Sequence, residues 1–141
     1  MRQIPIIVII LFVALLLPTL SMADDVFIVA NKDVPANSLA ANDVKQIFLG
    51  NKTSWDNGDK IVFVVQDRTD AGDAFLKAYV QKSVSQYENY WKKQVFTGKG
   101  KAPQSFESDQ AVVEFVAQTP GAVGYVSSGA DTRNVKTVAV H

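Results

Sequence analysis

The stretch FVVQDRTDAGDAFLKAYV, Phe63 to Val80, passes from an apolar run into a helical pattern through a corner carrying Asp67, Arg68, Thr69, Asp70, Gly72 and Asp73. Where a strand ends and feeds a helix, the first amides of the helix lack an intrahelical acceptor, and their partial positive charge can hold phosphate or sulfate. Gly72 lets a ligand approach the backbone, Thr69 offers a hydroxyl, and Arg68 can make a two-pronged contact with an oxyanion. Three carboxylates in the same seven residues oppose an anion. The competing reading is structural: Asp67 or Asp70 caps the helix, and Arg68 is solvated or ion-paired. A second candidate is Thr97-Gly98-Lys99-Gly100-Lys101. Its glycines can form an anion-binding backbone nest and its lysines attract negative charge, but the same residues also make an ordinary surface loop.

Several chemistries lack their parts. The only His is His141, there is no Cys, and no Gly-x-Ser-x-Gly stretch occurs, so the common nucleophile and base constellations cannot be assembled and no enzyme is expected. Asp67, Asp70 and Asp73 recur every third residue, whereas a calcium loop alternates its oxygens and closes on a bidentate acid. Neither a metal nor a cofactor is implied.

These residues must be positioned by the segments around them. Val26 to Ala30, Ile61 to Val65, Ala122 to Val126 and Val135 to Val140 read as strands, being short, apolar and rich in β-branched residues. A short helix is expected from about Asn42, with Val44, Ile47 and Phe48 on its inner face and Gly50 as its left-handed stop. Phe75, Leu76, Tyr79 and Val80 mark a second helix, Ser83 and Gln86 form the capping box of a third, and Ser108 caps a fourth whose buried side is Val112, Val113, Phe115 and Val116. NKDVPANSLAAND, NKTSWDNGDK and FTGKGKAPQS read as loops. Trp55, Trp91, Phe96 and Tyr125 are expected in the core or at its rim. Strands alternating with helices predict an α/β arrangement, a mostly parallel sheet flanked by helices.

The chain opens with a basic Arg2, an apolar run of fourteen residues from Ile4 to Leu17 closed by Pro18, and Ser21-Met22-Ala23. This predicts a cleaved signal peptide over residues 1–23, a single domain over 24–141 and a periplasmic location. A retained anchor is the rival, but a bilayer span needs about 20 apolar residues. Without residues 1–23 the basic count falls from 14 to 13 while the acidic count stays at 14, a net charge of one negative. No basic footprint for nucleic acid or for an anionic membrane surface is expected from that balance, nor any stable membrane insertion after cleavage.

The order of pieces carries more than any one of them. QIFLGNKTSWDNGDKIVFVVQDRTDAGDAFLKAY, then YWKKQVFTGKGKAP, then VVEFVAQTPGAVGYVSSGA, resembles the phosphate-binding protein of the bacterial phosphate ABC transporter, and more closely its short single-lobe relatives. The resemblance implies one lobe of a type II periplasmic binding protein, with phosphate or a related oxyanion as ligand and transport or sensing as the role. In that family an Arg-x-Asp-Gly-Ser-Gly-Thr corner holds phosphate. With Phe75 on the Phe that follows it, Gly72 matches the second Gly, Asp73 stands at the Thr, Ala71 at the Ser, Asp70 at the first Gly and Asp67 at the Arg, with Arg68 one position away. The site residues implied are therefore Arg68, Thr69, Ala71, Gly72 and Asp73, with Gly98 and Lys99 from the second candidate. Complete family members are more than twice as long, so tight capture calls for a partner chain or self-association to complete the cleft. The alternative role is a non-transport interaction or sensor-partner protein that has lost the ligand site, which would carry an exposed apolar patch near the open cleft face.

Overall fold

The computed structural model describes residues 26–141, so the expected signal peptide lies outside the described residues. Five-residue β1 (Val26–Ala30) is followed by the two-residue β2 (Ser38–Leu39), α1 (Ala41–Phe48) and β3 (Val62–Gln66). Next, α2 (Asp70–Phe75) widens into a π-helical turn over Leu76–Val80, which ends at Gln81 in the left-handed region. Then come α3 (Val84–Phe96), β4 (Gln104–Phe106), α4 (Asp109–Gln118), β5 (Ala122–Ser127) and β6 (Lys136–Val140).

The strands form one six-stranded sheet in the order β2-β6-β1-β5-β3-β4. Three pairings are parallel, β2 with β6 and β3 with both β4 and β5, while β1 runs antiparallel to β5 and β6. The sheet is thus mixed, with parallel pairing in the majority. The loop readings of NKDVPANSLAAND and FTGKGKAPQS each conceal a short edge strand, β2 and β4. Two or three residues, mostly polar, are too few to show a period of two.

Both faces of the sheet are covered, as alternation along its strands requires. Ile28, Ala30, Val65, Val123 and Tyr125 face a core shared with α1, α2 and α3, whereas Val29, Val64, Ala122 and Val126 face α4. On the first side Phe75 stacks on Tyr125 with ring centroids 3.9 Å apart, and Phe48 closes the cluster at 4.5 Å from Phe75. On the second, Gly124 has no side chain because a Cβ there would lie 2.9 Å from Val112 and 3.0 Å from Val64. Bare backbone lets α4 settle against the sheet.

The capping box of α3 is formed in full, the Gln86 amide donating to Ser83 Oγ at 3.2 Å and the Ser83 amide to Gln86 Oε1 at 2.9 Å. Trp55, Trp91 and Tyr125 are buried as expected. Phe96 is not: it is 92% exposed, at the very end of α3.

The buried hydroxyl of Tyr125 accepts the Gln66 amide at 2.8 Å and satisfies the last residue of β3. Tyr125→Phe keeps the ring stack and orphans that amide. The expected loss is about 1–3 kcal/mol, the desolvation cost of an unpaired buried donor, read as a lower midpoint in urea with an unchanged slope.

Candidate functional site

The corner after β3 is built from three backbone decisions. Asp67 still pairs, its amide donating to the Phe106 carbonyl at 2.8 Å. Arg68 then adopts φ 58°, a left-handed conformation that non-glycine residues seldom hold. Thr69 returns to extended backbone and becomes the N-cap of α2, its Oγ1 accepting the Gly72 amide at 3.0 Å. The cap is therefore Thr69, where the sequence reading put Asp67 or Asp70.

This local chemistry decides what each candidate residue can offer. The Gly72 amide is already committed to Thr69. Gly72 itself is buried against the end of β3, where a Cβ would sit 2.7 Å from the Gln66 carbonyl oxygen. Its lack of a side chain thus serves the junction of strand and helix in the first place. Ala71 is buried beside a depression of about 370 Å³ whose rim holds Thr69, Ser108, Ser127 and Ser128. Asp73 is exposed one turn along.

Arg68 is the open element, with its side chain 81% exposed. It stands 3.9 Å from Asp67 and 3.8 Å from Glu107, both in solvent-facing positions, so neither pair holds it firmly. Behind it, Asp109 gathers the Gln66 side-chain amide at 2.8 Å, the Ser127 backbone amide at 3.0 Å and the Ser127 hydroxyl. Partial burial pushes the Asp109 carboxyl up, but the hydrogen bonds from Ser127 and Gln66 outweigh it and hold the group below the usual carboxylate range. Burial raises the Tyr125 phenol; the nearby charges of Asp67 and Asp73 raise it further, against the hydrogen bond from Gln66.

Gly98 and Lys99 lie elsewhere. Gly98, at φ 72°, donates to Val95 and Lys99 donates to Gln94, the two bonds of a Schellman stop for α3. Lys99 borders a depression of about 610 Å³ at the start of β3, with Phe63 in its wall, while the corner follows the end of that strand. The two candidate anion sites are therefore separate. Sequence reading also missed an apolar groove of about 500 Å³ that opens beside Arg68 and runs along α3 past Val84, Trp91, Val95 and Phe96. The sign was available in Val84 and Val95, which stand three residues before Tyr87 and four after Trp91 and so extend that face to both ends of α3.

A family model described as a PBP superfamily domain matches residues 16–140. The chain belongs to this family. Its fold is similar to part of a protein described as a phosphate ABC transporter substrate-binding protein from Clostridium perfringens with bound phosphate (21% identity, TM-score 0.65, covering 83% of this chain and 45% of that one). The same holds for an ABC-type phosphate transport receptor from Vibrio cholerae (20%, 0.65, 83% and 46%). PstS from Borrelia burgdorferi gives 14% and 0.65, covering 84% and 47%. This PBP domain spans just under half the length of each. No curated protein matches it. Among the described residues no helix is long and apolar enough to cross a membrane.

Two outcomes follow from the corner. Gly72→Ala is expected to lower stability, because the new methyl group meets the Gln66 carbonyl; thermal unfolding checks it. Asp109 has a depressed folded value, so its stabilisation is present above the unfolded carboxylate value of about 4 and is lost as pH falls through the folded one. Urea titrations from pH 6 down to pH 2 should therefore show a steeper acid loss for the wild type than for Asp109→Asn.

Proposed function

We propose that this PBP domain is an exported solute-binding module that takes phosphate or a related oxyanion weakly at the corner after β3, for ABC transport or sensing, with a second protein surface completing the site. The observation that carries the reading is Arg68, held by a left-handed backbone at the mouth of a groove with its guanidinium free of any tight partner. A planar, permanently charged fork in that position suits a tetrahedral oxyanion. Thr69 contributes the other side of its hydroxyl, and Ala71 and Asp73 border the same turn. The structural relatives described as phosphate receptors support the ligand class.

Weakness follows from the same geometry. Asp67 and Glu107 flank the one arginine at 3.9 and 3.8 Å, Asp70 and Asp73 follow in the chain, and exposed charges at about 4 Å interact by only about 1 kcal/mol in water. The ligand is open to solvent on one side, so the expected dissociation constant is around millimolar, about 4 kcal/mol of binding free energy. The reading is of a binding protein and not of an enzyme.

A second reading is favoured by one observation: Val84, Val95 and Phe96, 38%, 49% and 92% exposed, all border the groove that starts at Arg68. An interaction or sensor-partner protein that has lost its ligand would carry such a surface.

Calorimetry of the purified protein with phosphate, sulfate and arsenate distinguishes the two. The oxyanion reading expects millimolar binding that falls at least tenfold in Arg68→Ala, the size of a lost charged hydrogen bond, and that Lys99→Ala leaves unchanged. Absence of heat with all three anions leaves the interaction reading standing.

A further inference from the structure

Around the end of α3 lysines predominate, although Asp67 lines the same groove as Lys92 and Phe96, and Asp59 precedes Lys60. Phe96 stands in solvent, with Lys92 and Lys93 one turn before it on the helix and Lys99 and Lys101 just after it. Lys60 arrives from the approach to β3 and shares a depression with Lys99 and Lys101 in which no carboxylate takes part. Ion pairs among the described residues involve Arg68 and Arg133, so none of these five lysines is neutralised in that way. Glu88, one turn before Lys92, is the nearest acid on that helix face.

We infer that this tip is a peripheral docking site for an anionic lipid surface, with Phe96 and Val95 entering the headgroup layer and the lysines spread over it. Three features favour lipid over a protein partner. Phe96 is a protruding point and not the floor of a complementary cavity. The cations are all lysines, point charges on flexible stems that suit a diffuse negative field, whereas defined carboxylate or phosphate recognition favours the arginine fork. They also come from three separate segments around one exposed apolar tip, the combination that binds bilayer interfaces by apolar insertion plus attraction to acidic headgroups.

The overall balance of charge does not oppose this. Four steps of β3 at about 3.3 Å each put roughly 13 Å between its basic start and its acidic end, more than the Debye length of about 8 Å at physiological ionic strength. A membrane that meets Lys60, Lys99 and Lys101 at the start of β3 is therefore largely screened from the carboxylates that follow its end, whereas Lys92 shares its groove with Asp67. The export reading matters only in bringing the protein beside such a surface. Because the residues differ from those of the oxyanion site, one proposal can fail without the other.

The test is sedimentation with vesicles of pure phosphatidylcholine and of phosphatidylcholine containing phosphatidylglycerol, comparing wild type with Phe96→Ser and with the double variant Lys99→Gln, Lys101→Gln. All three share one N-terminal segment, so any contribution from that segment cancels. Expected are selectivity for phosphatidylglycerol that fades in high salt, a loss of roughly tenfold or more in the double variant and a several-fold loss in Phe96→Ser, with thermal midpoints unchanged because every altered side chain is exposed. Equal binding to both lipids, or variants that bind like the wild type, would overturn the inference; binding lost only with the lysines would overturn the insertion of Phe96.

Discussion

Gln66 is a polar side chain buried at the last position of an otherwise apolar strand, and the arrangement of the whole corner depends on how it is satisfied. Its backbone amide goes to the Tyr125 hydroxyl, and its side-chain amide goes to the Tyr125 carbonyl at 3.0 Å and to Asp109. These bonds tie the end of β3 to β5 and to the first turn of α4. Asp109 does two things at once, since a carboxylate in a first turn also interacts favourably with the helix macrodipole. With Gln66 pinned, its carbonyl faces the first turn of α2, and only a glycine at position 72 leaves room for that carbonyl.

The consequence for binding is a separation of geometry from charge. A strand that stops sharply and hands over to a capped helix start is the scaffold on which anions are bound in many proteins. Here the cap hydroxyl and one of the amides are used internally, and carboxylates occupy the turn. Arg68 is the residue left over, and its left-handed backbone costs about 1–3 kcal/mol that the surrounding bonds must offset. Such a cost at an exposed arginine is hard to attribute to the fold alone.

Much of the fold could be read from the sequence because its signals are local. The Ser83-Gln86 box, the Ser108 cap, the Gly50 stop and the four apolar strands each depend on a few neighbouring residues, and each is present. What could not be read depends on partners far along the chain. Strands β2 and β4 exist because β6 and β3 offer edges, not because their own residues favour extension. Thr69 caps α2 in place of either aspartate, directly after Arg68 turns left-handed, and that backbone choice is invisible in a pattern of side chains. The network of Gln66, Asp109, Ser127 and Tyr125 joins residues up to 61 positions apart, from Gln66 to Ser127, and leaves no periodic trace.

Net charge is silent about where the charges sit. A chain with 14 acidic and 14 basic residues looks electrostatically neutral, and neutrality argues against charged partners only if the signs are mixed in space. Here they are partly segregated: Lys60, Lys99 and Lys101 share a depression at the start of β3 whose lining holds no carboxylate, aspartates follow its end, and the strand is longer than the distance over which salt lets charges see one another. Phe96 belongs to the same argument. Inside the helical pattern it reads as one more apolar residue, yet it falls on the last position before the Schellman stop, where the chain turns away and nothing remains to cover it. One groove thus runs between two unlike neighbourhoods, an acidic corner with an exposed arginine and a lysine-rich tip with an exposed phenylalanine, and each has to be understood from its own neighbours.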